Sequence, residues 1–176
     1  MYLKNAVEHF KTITKHRHLV MRNCFRAGIP LQGLRHDLSK YTPAEFLIGV
    51  KYYRGDHSPN VEERKAKGYS SAWMHHKGRN KHHYEYWFDN DDHTLSIAPV
   101  PMPTRYIIEM FCDRVAASKV YKGAAYKDST SLDYFNSHDY RVTMHPKTRE
   151  TLFMLLNMLS EQGEKKTFRY IRHMKK

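Results

Sequence analysis

Residues 34–46 read Leu-Arg-His-Asp-Leu-Ser-Lys-Tyr-Thr-Pro-Ala-Glu-Phe, and the way this stretch divides decides the fold. A short helical piece covers Leu31 to Leu38, and Ser39-Lys40-Tyr41 carries the chain to Thr42. Thr42 is placed to cap a helix opened by Pro43, with Glu45 at the capping-box position. That helix runs to about Tyr53. His36 and Asp37 therefore sit at a helix end. Neighbours on a regular helix point about 100° apart, so the pair reaches one centre only where the backbone is free to adapt.

Upstream, residues 2 to 27 place Val7, Phe10, Ile13, Val20 and Cys24 at helical spacing, and Gly28 and Pro30 end the run. Downstream, residues 54 to 69 read as a surface connection with a helical turn around Val61 to Lys67. Ser70 or Ser71 begins a segment rich in histidine and aromatic residues that reaches Phe88, with Gly78 as a place to bend or break. The three prolines and acidic cluster of residues 89–103 predict a loop. A helix from Thr104 to Tyr121, a short one near Ser131 to Asn136, one from Pro146 to Gly163 and a basic piece from Glu164 to Met174 complete the chain. Strand-like alternation is scarce, so the expected class is all-α, a single helical domain. Its core is expected in residues 1–125, with the helices of 126–176 packed on it.

The chain has 176 residues with a net charge of +12, and its pI is near 9.7. Such a surface attracts phosphates of any kind, nucleic acid included. The basic residues are spread along the chain, with only a short terminal run of Arg172, Lys175 and Lys176. The mean hydropathy of -0.77 reflects Lys, Arg and His rather than disorder. No apolar run approaches the roughly 18 residues of a membrane span, and the N-terminus reads as an amphipathic helix. A cytoplasmic protein without a membrane partner is expected. Cys24 and Cys112 belong to no CxxC pair and read as packing residues.

Thirteen histidines invite a search for ligands, and four places stand out. His16 shares a helical face with Ile13, Val20 and Cys24, and is preferred to His18 on its more mixed face. His36-Asp37 is the second place. The third is the segment Trp73 to Trp87, where a continuous helix would align Trp73, His76, Asn80, His83 and Trp87 on one stripe. His75 and His82 fall on the adjacent stripe, which leaves the register open by one residue at 75/76 and 82/83. The fourth is Asp113, a carboxylate on the otherwise apolar stripe Tyr106, Met110, Ala117 and Val120. It is costly there unless a cation or donors meet it.

The order His16, His36-Asp37, His76, His83, Asp113 resembles the HD superfamily of metal-dependent phosphohydrolases, whose pattern is H…HD…D with two further histidines in members that hold two metals. His36-Asp-Leu-Ser-Lys40 is similar to that family's HD-[ILV]-x-K string, and the resemblance covers about residues 10 to 121. The strings HDLSKYTPAEF and HHKGRNKHHYEYW are also similar to a narrower family of uncharacterised bacterial proteins. The wider resemblance implies an HD-like helical bundle with His16, His36, Asp37, His76, His83 and Asp113 as ligands to one or two divalent ions. Mixed imidazole and carboxylate ligands suit Mn, Fe, Co, Ni or Zn.

It further implies hydrolysis of a phosphate ester, a nucleotide or related small molecule. Asp37 would be the central catalytic residue, Lys40 would neutralise the phosphate, and Arg79 and Lys81 are weaker candidates for binding substrate. Glu45 and Glu85 are candidate proton carriers. A di-iron oxygenase built on the same ligand set is a second expectation. A basic nucleic-acid or nucleotide-binding protein without catalysis, stacking bases on Trp73, Tyr84, Tyr86 and Trp87, is a third.

Overall fold

The computed structural model describes residues 2–140 and 143–174; Lys175 and Lys176 of the basic terminal run lie outside the described residues. Helix α1 (Tyr2–Ala27) buries His9, Ile13, His16, Val20, Cys24 and Ala27, a spacing of three and four that lines one face. That face lies on α6 (Thr104–Lys122). Helix α6 is buried without interruption from Ile107 to Cys112, as expected of a helix covered on several sides. Helix α8 (Pro146–His173) closes the other side with Leu152, Leu155, Leu156 and Leu159, and is broken at Gly163, whose φ of 74° is left-handed. Val20, Phe111, Leu155 and Ile171 belong to one core cluster. The C-terminal helices thus share the core of α1 and α6.

Four short helices, α2 (Pro30–Arg35), α3 (Pro43–Tyr52), α4 (Pro59–Lys67) and α5 (Ser71–Lys77), build the side of the molecule that matters for chemistry, while α7 (Thr130–Asn136) packs on α8 and α6. Short 3-10 turns at Leu38–Tyr41, Tyr84–Tyr86 and Gly123–Ala125 join them. Helix α3 approaches α1 so closely at Gly49 that a Cβ there would stand 2.1 Å from His9 Nε2. Only glycine fits.

Two local expectations are corrected, and the break offered at Gly78 is the one taken: α5 ends at Lys77, and the chain turns through residues 78–83. Gly78 ends the run because a residue of low helix propensity there has no buried face to hold it. The stretch after Phe88 is not all loop. β1 (Phe88–Asp91) pairs antiparallel with β2 (Ser96–Pro99) in a small exposed hairpin, whose turn is held by Asp91 Oδ1 accepting from the backbone of His93 and Thr94. Four-residue strands give too little alternation to read. Nor does the capping box form. Thr42 Oγ1 donates to Ser39 O at 2.6 Å, and Glu45 is turned inward and buried.

Helix α5 is set in place by a buried carboxylate of α4. Glu63 is fully buried and accepts from Ser70 Oγ at 2.7 Å, Ser71 Oγ at 2.6 Å, the Ala72 amide at 3.3 Å and Lys67 Nζ at 2.9 Å. Burial opposes its charge, but these donors outweigh burial and hold the carboxyl at about 2, against an ordinary 4.5. A depressed folded-state value stabilises the fold above the ordinary pKa, and the contribution is lost as pH falls from about 4.5 towards 2. Glu63→Ala strands several buried donors, so urea denaturation at neutral pH should show a loss of about 2–3 kcal/mol. The variant should also lose less stability than the wild type between pH 4.5 and 2.

Candidate metal centre

The centre begins with a backbone choice at the end of α2. His36 leaves the helix with φ −55° and ψ 129°, and Asp37 then adopts the left-handed conformation, φ 53° and ψ 27°. Aspartate tolerates this region better than most residues, but such a position costs of order 1 kcal/mol and collects at functional sites. The turn swings His36 and Asp37 toward a common point. Both are buried, at 1% and 2% exposure.

Five imidazole Nε2 atoms gather around Asp37 and Asp113. On one side of Asp37, Oδ2 lies 3.4 Å from His36 Nε2 and 3.8 Å from His16 Nε2, and His16 Nε2 is 3.0 Å from Asp113 Oδ1. On the other side, Oδ1 lies 3.3 Å from His76 Nε2 and 3.4 Å from His82 Nε2. His83 completes this second group, its ring 4.1 Å from that of His82 and 4.8 Å from that of His76. Asp37, His76, His82 and His83 form one group with the spacing of metal ligands, and His16, His36 and Asp113 form another.

What marks the centre is missing hydrogen bonds. The Nε2 atoms of His16, His36, His76, His82 and His83 and both oxygens of Asp37 are buried without a hydrogen-bond partner of acceptable geometry. Some of these atoms stand in ion-pair contact, His16 Nε2 with Asp113 and Asp37 Oδ2 with Lys40, but a buried polar atom without a well-formed hydrogen bond is costly, and an ordinary core does not gather so many in one place. Ligand atoms bound at about 2.1 Å to one ion stand roughly 3.0–3.4 Å from their neighbours, the range of most contacts here. The centre could hold a metal ion. Cys24 and Cys112 are buried in the core cluster and belong to neither ligand group, so the donors are nitrogen and carboxylate oxygen alone. That set suits first-row divalent ions.

Two glutamates aim the rings. Glu109 Oε1 lies 2.9 Å from His36 Nδ1 and 3.2 Å from His82 Nδ1. Glu45 takes His75 Nδ1 at 2.7 Å on one oxygen and His76 Nδ1 at 2.8 Å on the other. With Nδ1 turned to a carboxylate, the rings of His36, His76 and His82 present Nε2 to the centre, the usual way a histidine ligand is held. Burial opposes the charge of Glu45 and Glu109, yet the histidines beside them hold both below the usual carboxylate range.

The charge balance follows the same neighbours. Burial disfavours ionised Asp37, but His36, Lys40 and His76 hold its carboxyl well below the usual range, and His16 does the same for Asp113. Burial pulls against His36, while Asp37 raises it to about 10. His16 and His83 are lowered, chiefly by burial. A cation entering here would displace protons from the crowded imidazoles.

All six expected ligands, His16, His36, Asp37, His76, His83 and Asp113, are brought together, and His82 joins them although the helical stripe set it aside. With the helix ended at Gly78, the turn directs His82 and His83 to the same centre. Lys40 Nζ lies 2.6 Å from Asp37 Oδ2, its side chain 30% exposed. Arg79 and Lys81 are elsewhere: they line a groove behind His36 and His82, on the Glu109 side. Glu85 is outside the cluster. Trp73 packs edge-on to His83 and Trp87 against Tyr106, with the Trp87 indole donating to Lys81 O, so these rings are engaged in packing. Glu109 was missed, although it lies one helical turn before Asp113 and so on the same face of α6.

The model of one protein family, described as a family of unknown function (DUF5662), matches residues 5–158. The chain belongs to this DUF5662 family. No curated protein and no solved structure matches it. The matched span contains every residue of the centre, from His16 to Asp113. Partners that orient histidine ligands are worth about 10–100-fold in metal affinity. Competition titration with a chromogenic chelator should therefore show Glu109→Gln binding Mn or Zn about 10–100-fold more weakly than wild type, with an unchanged far-UV spectrum.

Proposed function

We propose that this chain is a metal-dependent phosphohydrolase acting on a small phosphate ester, a nucleotide or a related molecule, with an HD-like centre for two divalent ions. The observation that carries the reading is the split of the Asp37 carboxylate, one oxygen toward His16 and His36 and the other toward His76 and His82. On this reading His16, His36, Asp37 and Asp113 hold one ion, and Asp37, His76, His82 and His83 hold the other. The chain order of these ligands, H…HD…H…HH…D, follows the resemblance with one histidine more than its two further histidines, because His82 and His83 both face the centre.

Bound divalent ions supply an activated water and charge neutralisation on phosphoryl oxygens. The protein's own groups do the rest. Lys40, partly exposed beside Asp37, places an ammonium where an anionic oxygen of the substrate arrives. A small cavity of about 60 Å³ opens beside Lys40 and His76, walled by Thr12, Asn60 and Tyr121, and admits a small polar group of the substrate. Glu45 and Glu109 hold Nδ1 of His76, His36 and His82 and so fix these rings with Nε2 toward the centre, where an entering ion would displace any Nε2 proton, and the ligands need no rearrangement before reaction.

The protein loaded with Mn should hydrolyse at least one member of a panel of phosphomonoesters, nucleotides and cyclic diesters. Asp37→Asn should abolish the turnover, and Lys40→Ala should reduce it about 100-fold. Full metal occupancy without turnover across the panel contradicts the proposal. The imidazole-rich donor set also suits iron, which favours a di-iron oxygenase as the second reading. An iron-dependent visible absorption band with oxygen consumption identifies it.

A further inference from the structure

On the Glu109 side of the centre lies a groove of about 460 Å³, within the range of small-molecule sites. Arg35, Arg79, Lys81 and Arg105 line it. They come from three separate places: the end of α2, the turn after α5 and the first turn of α6. All four are exposed. Among the described residues, the ion pairs made by lysine and arginine involve other side chains. Arg79 donates to the His75 carbonyl, and Lys81 and Arg105 lie over the Tyr86 and Tyr106 rings. The one carboxylate in the groove wall is Glu109, already engaged by His36 and His82. Four like charges are thus gathered by the fold without a compensating acid.

We propose that this groove is an anion-binding site for a small molecule carrying two or more phosphates, separate from the metal-facing side. Guanidinium forks and an ammonium are the side-chain groups suited to phosphate oxygens, and the groove holds three of the one and one of the other. A single phosphate monoester, at about −1.5 to −2 near neutral pH, leaves part of that charge unanswered. Separation from the metal side follows from the rings themselves: His36 and His82 turn Nδ1 to Glu109 and Nε2 to Asp37, so they form a partition. The inference is independent of the catalytic reading, because it concerns the face those rings turn away from the ligand cluster.

The test is calorimetric titration of inorganic pyrophosphate into the full chain, freed of metal and dialysed free of chelator. Wild type should bind one equivalent, more weakly as salt is raised. Arg79→Gln with Arg105→Gln should weaken binding at least about tenfold, since each loses a charge-assisted contact, while Lys40→Gln should stay within about twofold. After reloading, the double variant should hold as much Mn as wild type, which shows that its fold and centre are intact. Equal binding by wild type and the double variant overturns the proposal. So does loss of binding in Lys40→Gln alone, which would put the anion on the metal side. A single-stranded RNA oligonucleotide that binds through these arginines when pyrophosphate does not saturate also overturns it, in favour of a nucleic-acid surface. None of these outcomes involves turnover, so failure of the hydrolase reading is read separately.

Discussion

The carboxylate of Asp37 stands among imidazoles, buried, in a left-handed turn, with no hydrogen bond to either oxygen, and the side of the molecule built by α2, α3 and α5 is organised around it. An anion in that position is unfavourable unless positive charge surrounds it closely. Protonated histidines and Lys40 provide part of that charge, but they leave their own Nε2 atoms without acceptors of good geometry. A divalent cation satisfies the acid and the nitrogens together. Such an ion would add to the ion pairs already made by Lys40 and His16 in offsetting the cost of the turn and of the buried acid.

Around this centre the fold supplies orientation through acids that do not face the cation. Glu109 on α6 holds the outer nitrogens of His36 and His82, Glu45 on α3 holds those of His75 and His76, and Glu63 on α4 anchors the start of α5. These acids link four helices to one point. Three rings of the centre, those of His36, His76 and His82, are thus each fixed by a carboxylate that is itself buried. The arrangement also separates two faces. Lys40 lies partly open on one, and Arg35, Arg79, Lys81 and Arg105 line the groove on the other.

Much of this could be read from the chain alone, and the parts that could not have physical causes. Helices α1 and α6 declare themselves by long apolar stripes, and His16 and Asp113 stand out as polar residues on those stripes. His36-Asp37 was legible as a pair at a helix end, where the backbone can turn. The position of His82 was not, because a helical stripe assigns faces only while the helix continues, and α5 stops before Gly78. Glu45 has two plausible uses at the start of α3, and spacing cannot tell a capping residue from one that reaches across to α5. Glu109 carried a usable signal, a second carboxylate four residues before Asp113 on the buried face of α6. The hairpin of β1 and β2 is too short and too exposed to leave a pattern.

The account depends on cation occupancy of the Asp37 cluster, and metal stoichiometry measures it directly. Elemental analysis of the purified chain after equilibration with Mn or Zn and removal of free ion should give two equivalents per chain, falling below one in Asp37→Ala. A wild-type chain that retains no ion, and whose thermal stability does not change when metal is added, would contradict it.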